Sequence, residues 1–373
     1  REMGYTPISI EPRTGKALQK EISIPLLSNR VRLKDLAVAC RQFATMINSG
    51  LTLVRSLGIL AEQCENSELA RILEAVRLDV ERGSSLSDAL SKHPKAFDRL
   101  FVSMVRAGEA GGTLDLTLLR LASTIEKQVE LRRRIKSAMT YPVVVMVVVL
   151  LILTIMLVFI VPTFKKMYAS LGGILPLPTR ILLTVSNTVV HWSYIVLAVI
   201  AALAFAGYRY VHTEKGRARY DELLLRIPVF GALVRKTALA RFSRTLASLV
   251  QTGVPILESL DIVAATCGNT VVANAARGAK SGVQVGEAIS KPLLEHPIMP
   301  PMVVQMIAVG EQTGALDAML EKIADFYEAE VAATVEALTS LIEPILIVIM
   351  GVAVGAMVIS LYLPMFDIIK LIK

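Results

Sequence analysis

The strongest candidates for chemistry in these 373 residues are two carboxylates set in matching glycine turns. Gly108-Glu109-Ala110-Gly111-Gly112-Thr113-Leu114-Asp115 and Gly310-Glu311-Gln312-Thr313-Gly314-Ala315-Leu316-Asp317 share the pattern Gly-Glu-x-x-Gly-x-Leu-Asp, 202 positions apart. A carboxylate where one helix ends and another begins can accept backbone N–H groups at the next helix's N-terminus, or it can meet a basic group on a partner. Gly108, Glu109, Gly112, Gly310, Glu311 and Gly314 are therefore the candidate turn and partner-contact residues, with Glu109 read as a cap and Glu311 as a contact. Around them no nucleophile and base come together. There is no Gly-x-x-x-x-Gly-Lys-Ser/Thr phosphate loop, no His-Glu-x-x-His and no Gly-x-Ser-x-Gly. Cys40, Cys64 and Cys267 make no pair at metal or disulfide spacing, and each reads as a reduced thiol on an apolar face. His93 and His296 each precede a proline and read as loop residues. The expectation is no catalytic residue, no cofactor and no metal.

What must position these turns is a membrane. Val143 to Val161 is an uncharged run of 19 residues, enough helix to cross a hydrocarbon core of roughly 30 Å. It opens on Tyr141-Pro142 and closes on Pro162. A second such run opens on Glu343-Pro344 and closes on Pro364, and Pro142 and Pro162 lie 202 positions before Pro344 and Pro364. Glu343 thus stands where Tyr141 stands in the first copy, placed to reach water or to hydrogen-bond a neighbouring helix. Gly351 and Gly355 form a small-x-x-x-small pair that lets helices approach closely. Pro142, Glu343, Pro344, Gly351 and Gly355 are the candidate membrane-packing residues. A less sharp span covers 181–210, with Trp192, Tyr194, Tyr208 and Tyr210 as interfacial aromatics. The chain is 54% hydrophobic with a mean hydropathy of +0.57, which is membrane-class composition. Its net charge of +8 reflects basic residues beside the spans rather than a nucleic-acid surface.

Between the spans the pattern is amphipathic helix throughout. Leu36, Cys40, Phe43, Ala44 and Ile47 share one face; further helices are expected over Leu53 to about Cys64, Ser67–Arg82, Leu86–Leu90 and Asp98–Ala107. Thr113 suits the N-cap of a long helix leading to the first span. The same order restarts after Tyr210, because Arg41 to Gly50 matches Arg244 to Gly253 at an offset of 203. The fold class is all-α: an integral membrane protein with two duplicated cytoplasmic helical bundles and three transmembrane helices. The expected boundaries are an extended leader over 1–30, a first bundle over 31–140, spans at 141–162, 181–210 and 343–364, an external loop over 163–180, a second bundle over 211–342 and an external tail over 365–373. The chain begins at Arg1 and reads as a piece of a longer or processed protein, with no signal peptide in view. Lys127, Arg132, Arg133, Arg134 and Lys136 before the first span place both bundles inside. The third span runs against that rule locally, with Glu330, Glu336 and Glu343 ahead of it.

Two Gly-Glu turns, each followed by a span that opens on x-Pro, resemble the PilC/GspF family of platform proteins in type IV pilus assembly and type II secretion. The likeness runs from about Leu33 to Ile369. It implies six-helix cytoplasmic domains, a homo-oligomeric hub in the inner membrane, and partners that include a cytoplasmic hexameric ATPase, pilin or pseudopilin subunits and other inner-membrane assembly proteins. ATP chemistry would then belong to the partner. Gly111 stands where the family usually has Ser or Thr, as at Thr313, so the first turn is expected to be looser. The alternative is a duplicated transporter or channel subunit, supported by the duplication itself.

Overall fold

The helical period that begins at Leu33 becomes α1 (Leu33–Asn48), with Leu36, Cys40, Phe43 and Ala44 buried. A computed structural model describes residues 30–164, 177–191, 193–228 and 230–371. The expected leader, except its last residue, and most of the expected external loop lie outside these residues. After α1 come α2 (Leu53–Gln63), α3 (Ser67–Glu81), α4 (Leu86–Ser91) and α5 (Arg99–Gly111). Three of these starts are fixed by side-chain acceptors: Asn66 Oδ1 takes the N–H groups of Glu68 and Leu69, the Ser85 hydroxyl that of Asp88, and the Asp98 carboxylate that of Phe101. Such caps satisfy donors that the first helical turn leaves without partners. α6 (Leu114–Ile155) then runs on through a five-residue π segment, Met156–Ile160, to Phe164. Thr113 occupies its N-cap position, but its hydroxyl makes no capping bond. The first turn of α6 is closed by the backbone instead, Thr117 N–H donating to Thr113 C=O at 3.0 Å.

The second copy repeats this order. Behind α7 (Leu177–His191), α8 (Ser193–Val211) and α9 (Glu214–Arg226) come α10 (Phe230–Gln251), α11 (Ile256–Thr266), α12 (Thr270–Gln284), α13 (Ser290–Leu294), α14 (Pro301–Thr313) and α15 (Leu316–Leu371). No strand occurs among the described residues. α2 and α3 lie 203 positions before α11 and α12, whereas α5 and the start of α6 lie 202 before α14 and α15. The lost residue falls in the loop after the His-Pro pair, where Pro94-Lys95-Ala96-Phe97-Asp98 becomes Pro297-Ile298-Met299-Pro300. Asn269 caps α12 as Asn66 caps α3, accepting from Val271 and Val272. Over the expected second span the described residues are helical on both sides of position 192, which lies outside them, and α7 begins at Leu177, four residues inside the segment read as loop.

Two helices among the described residues are long and apolar enough to cross a membrane: Leu114–Phe164, 51 residues, and Leu316–Ser360, 45 residues. At 1.5 Å per residue the first is roughly 75 Å long, more than twice a hydrocarbon core, so one rod serves both bundle and span. α6 and α15 run parallel and in contact. Lys127 Nζ meets Asp325 at 3.1 Å, Leu131 and Ile135 pack with Val331, Val335 and Leu338, and Val161 packs with Met357 further along. α7 is tied to both, since the Thr179 hydroxyl donates to Ser360 C=O at 2.5 Å and the Ser186 hydroxyl to Leu157 C=O, inside the π segment, at 2.6 Å.

Each bundle is clamped to its long helix by an arginine. Arg41 on α1 grips both oxygens of Glu126 on α6, and its repeat equivalent Arg244 on α10 grips both oxygens of Glu328 on α15 at 2.9 and 3.0 Å. The copies differ in depth. The Arg41 and Glu126 side chains are 41% and 42% exposed, whereas Arg244 is 7% exposed and also meets Asp325. The hydrogen bonds from Arg41 hold the Glu126 carboxyl below its ordinary range. Its contribution is therefore present above the unfolded value of about 4.3 and lost as pH falls through the lower folded value. Removing the buried arginine takes from Glu328 its cation and leaves Asp325 with Lys127 alone, so Arg244→Ala is expected to cost about 3 kcal/mol. Arg41→Ala, at a half-exposed pair, should cost about 1 kcal/mol or less. Thermal unfolding of the two variants in detergent checks this; equal losses would contradict it.

Candidate functional site

The two Gly-Glu motifs fold alike, and each residue type has a reason. In both copies the first glycine and the glutamate lie in the last turn of a helix, α5 or α14, and not in the turn beyond it. A Cβ on Gly108 would stand 2.7 Å from the Thr117 hydroxyl and 2.8 Å from its Cβ; one on Gly310 would stand 2.9 Å from Leu316 Cα. Only glycine lets α5 and α14 come this near to α6 and α15. Gly112 and Gly314 then take left-handed conformations, with φ of +66° and +70°, where a side chain is disfavoured. Across each left-handed residue the chain closes on the first glycine: Thr113 N–H donates to Gly108 C=O and Ala315 N–H to Gly310 C=O, both at 2.9 Å.

The glutamates reach backwards, not forwards. Glu109 accepts Leu86 N–H at 2.5 Å on one oxygen and Ser87 N–H at 2.9 Å on the other, at the start of α4. Glu311 accepts Ile289 N–H at 2.5 Å and Ser290 N–H at 3.1 Å, at the start of α13. The helix end served is therefore that of the preceding short helix, which sequence order alone does not reveal. A negative carboxylate there meets both unpaired donors and the positive end of the helix dipole. Glu311, read as a partner contact, makes the same two bonds as Glu109. The turn at Gly111 is closed as tightly as its counterpart, because the Thr313 hydroxyl donates to Val309 C=O at 2.7 Å and caps nothing.

The remaining candidates fall into two groups. Pro142 is buried, whereas Glu343 and Pro344 are exposed. Gly351 and Gly355 have nothing of this chain within 4 Å of a would-be Cβ, so their face is open. Cys40 and Cys267 are buried and Cys64 partly so; burial pushes the Cys40 thiol up to about 12, leaving it protonated and inert. Among the described residues no group of three or more His, Cys, Asp or Glu could hold a metal. Reasoning from sequence missed the Arg41–Glu126 and Arg244–Glu328 clamps and the Asn66 and Asn269 caps. All four were detectable as polar residues kept at repeat-equivalent positions.

Because both carboxylate oxygens accept, an amide is a poor replacement: its NH2 would face a backbone N–H. Glu109→Gln and Glu311→Gln should each cost about 1–3 kcal/mol, and by similar amounts. Thermal unfolding of each variant measures this. A Glu311→Gln protein as stable as the wild type would remove the capping role.

These features have parallels in known proteins. The family described as type II secretion system (T2SS), protein F, matches residues 39–162 and again 242–364, one match per repeat. The chain is 51% identical over 356 residues to the type IV pilus assembly protein PilC of Thermus thermophilus, covering 95% of this chain and 87% of that one. It is 42% identical to PilC of Myxococcus xanthus, with 99% and 88% covered. Against the type II secretion system protein F of Aeromonas hydrophila it is 35% identical, with 100% and 96% covered. With both halves matched and its whole length shared with pilus and secretion relatives alike, the chain belongs to the type II secretion system protein F family.

Proposed function

We propose that this chain is the inner-membrane platform of a type IV pilus or type II secretion machine. In this reading both bundles face the cytoplasm, three helices span the membrane with 181–210 as the second, and the chain performs no chemistry of its own. It couples a cytoplasmic hexameric ATPase to the extraction and polymerisation of pilin or pseudopilin subunits, alongside other inner-membrane assembly proteins and further copies of itself. The observation that carries the proposal is mechanical. Each Gly-Glu turn sits at the foot of a helix that continues without a break into an apolar, charge-free span. A displacement imposed on a bundle is thereby delivered at membrane depth. A joint between bundle and span would absorb it.

Exposed positions in each bundle give a direct test. Lys95 and Val285 are exposed, Val285 at 78%. In a background freed of the three native thiols, Lys95→Cys and Val285→Cys should resist an impermeant maleimide in intact cells and react in inverted vesicles. The same preparations should retain the assembly ATPase on affinity purification. Labelling from outside would overturn the orientation, and solute flux through the purified protein alone in liposomes would point to a transporter instead.

A further inference from the structure

The two bundles of one chain are packed one-way. The outer face of the first bundle, from α5 and α6, docks on the α10–α11 side of the second. Thr124 Oγ1 bonds Ser248 Oγ at 2.8 Å, Arg120 donates to Gln251 C=O, and Ser103 Oγ donates to Glu258 at 3.1 Å. Because the bundles are repeats, each half of this interface has a counterpart elsewhere in the chain. The counterparts of Thr124 and Arg120 are Phe326 and Lys322; those of Ser248 and Gln251 are Thr45 and Asn48. All four are exposed, with Phe326 at 45%. A two-fold relation between the bundles would have paired them with one another. The packing is therefore heterologous, and it leaves one open face on each bundle.

The same holds where the long helices enter the membrane. On α6, Leu131, Ile135 and Ala138 face α15, but their counterparts Ala333, Ala337 and Ser340 are exposed. Beside that open stripe stand Glu336 and Glu343; on the matching open side of α6, at the positions equivalent to Val335 and Leu338 of the α15 contact, stand Arg133 and Lys136. All four are exposed and none has an ion-pair partner among the described residues. The glutamates are the same ones that break the positive-inside pattern before the third span. An acidic stripe next to anionic lipid is unfavourable on its own, and a basic neighbour removes that penalty.

We infer that the open face of the second bundle, from Phe326 to Glu343, receives the open face of the first bundle of a second copy, repeating the interface already made within the chain. Glu336 and Glu343 then pair with Arg133 and Lys136 of that copy. Since α6 and α15 run parallel into the membrane, copies repeated through this contact keep one orientation and join head to tail. The inference deepens the self-association in the proposed function and rests on that reading only for there being further copies in the membrane.

Co-expression of two cysteine-free versions, one with Glu336→Cys and one with Lys136→Cys, tests it in membranes with a short bis-maleimide. The expected result is a mixed cross-linked dimer and little of either homodimer. In parallel, Glu336→Arg with Glu343→Arg should lower the oligomer fraction roughly tenfold, and adding Arg133→Glu with Lys136→Glu should restore it. Cross-linking between two Glu336→Cys copies would show a two-fold dimer and overturn the inference. So would oligomers indifferent to the acidic reversal but lost on the basic one, which would assign Arg133 and Lys136 to lipid. Retention of the ATPase by these variants leaves the platform reading standing whichever way the interface falls. A protein monomeric in every form would remove the inference and self-association together.

Discussion

A helix that enters hydrocarbon cannot break there, because a freed peptide group finds no water to replace its lost hydrogen bond. In this chain the constraint extends outwards: the rods that cross the membrane are the same rods that close each bundle. α6 and α15 pass Pro142 and Pro344, where one backbone bond is forfeited, and remain helical on both sides. The rest of the architecture fastens helices to these rods. Arg41 and Arg244 fasten the first helix of each bundle, Gly108 and Gly310 let the fifth approach closely, and Glu109 and Glu311 hold the short fourth helix to the fifth. Each fastening sits within the bundle, and none leaves a swivel at the membrane.

Most of this frame was legible in the sequence, for physical reasons. An uncharged run of span length has few soluble explanations, and a 202–203 offset held by glycines, prolines and glutamates marks duplication directly. Helix order within the bundles followed from apolar period. What escaped was where polar side chains go. Glu109 looks forward in sequence to α6 but binds behind itself at Leu86, because the α4–α5 hairpin folds the earlier helix start back over it. Thr113 and Thr313 have the chemistry of caps, yet backbone closure across Gly112 and Gly314 leaves their hydroxyls nothing to cap.

The copies have diverged where their surroundings differ, and not in their frame. The arginine clamp is half-exposed in the first bundle, but it is deep in the second, where α6 of the first bundle covers it and brings Lys127 to Asp325. Arg120 has become Lys322 and Thr124 has become Phe326 on faces that one chain leaves open. Duplication thus supplied two equal bundles, and one-way packing made them unequal.

The central claim is that no joint separates bundle from span. Hydrogen exchange along α6, with the full chain in a lipid nanodisc, tests this most directly. Slow exchange should continue from Ile125 through Arg132–Thr140 to Val147, since every amide there except the missing one at Pro142 lies inside one helix. A band of fast exchange between Arg132 and Thr140, flanked by slow amides on both sides, would reveal a hinge at the membrane edge and contradict the account.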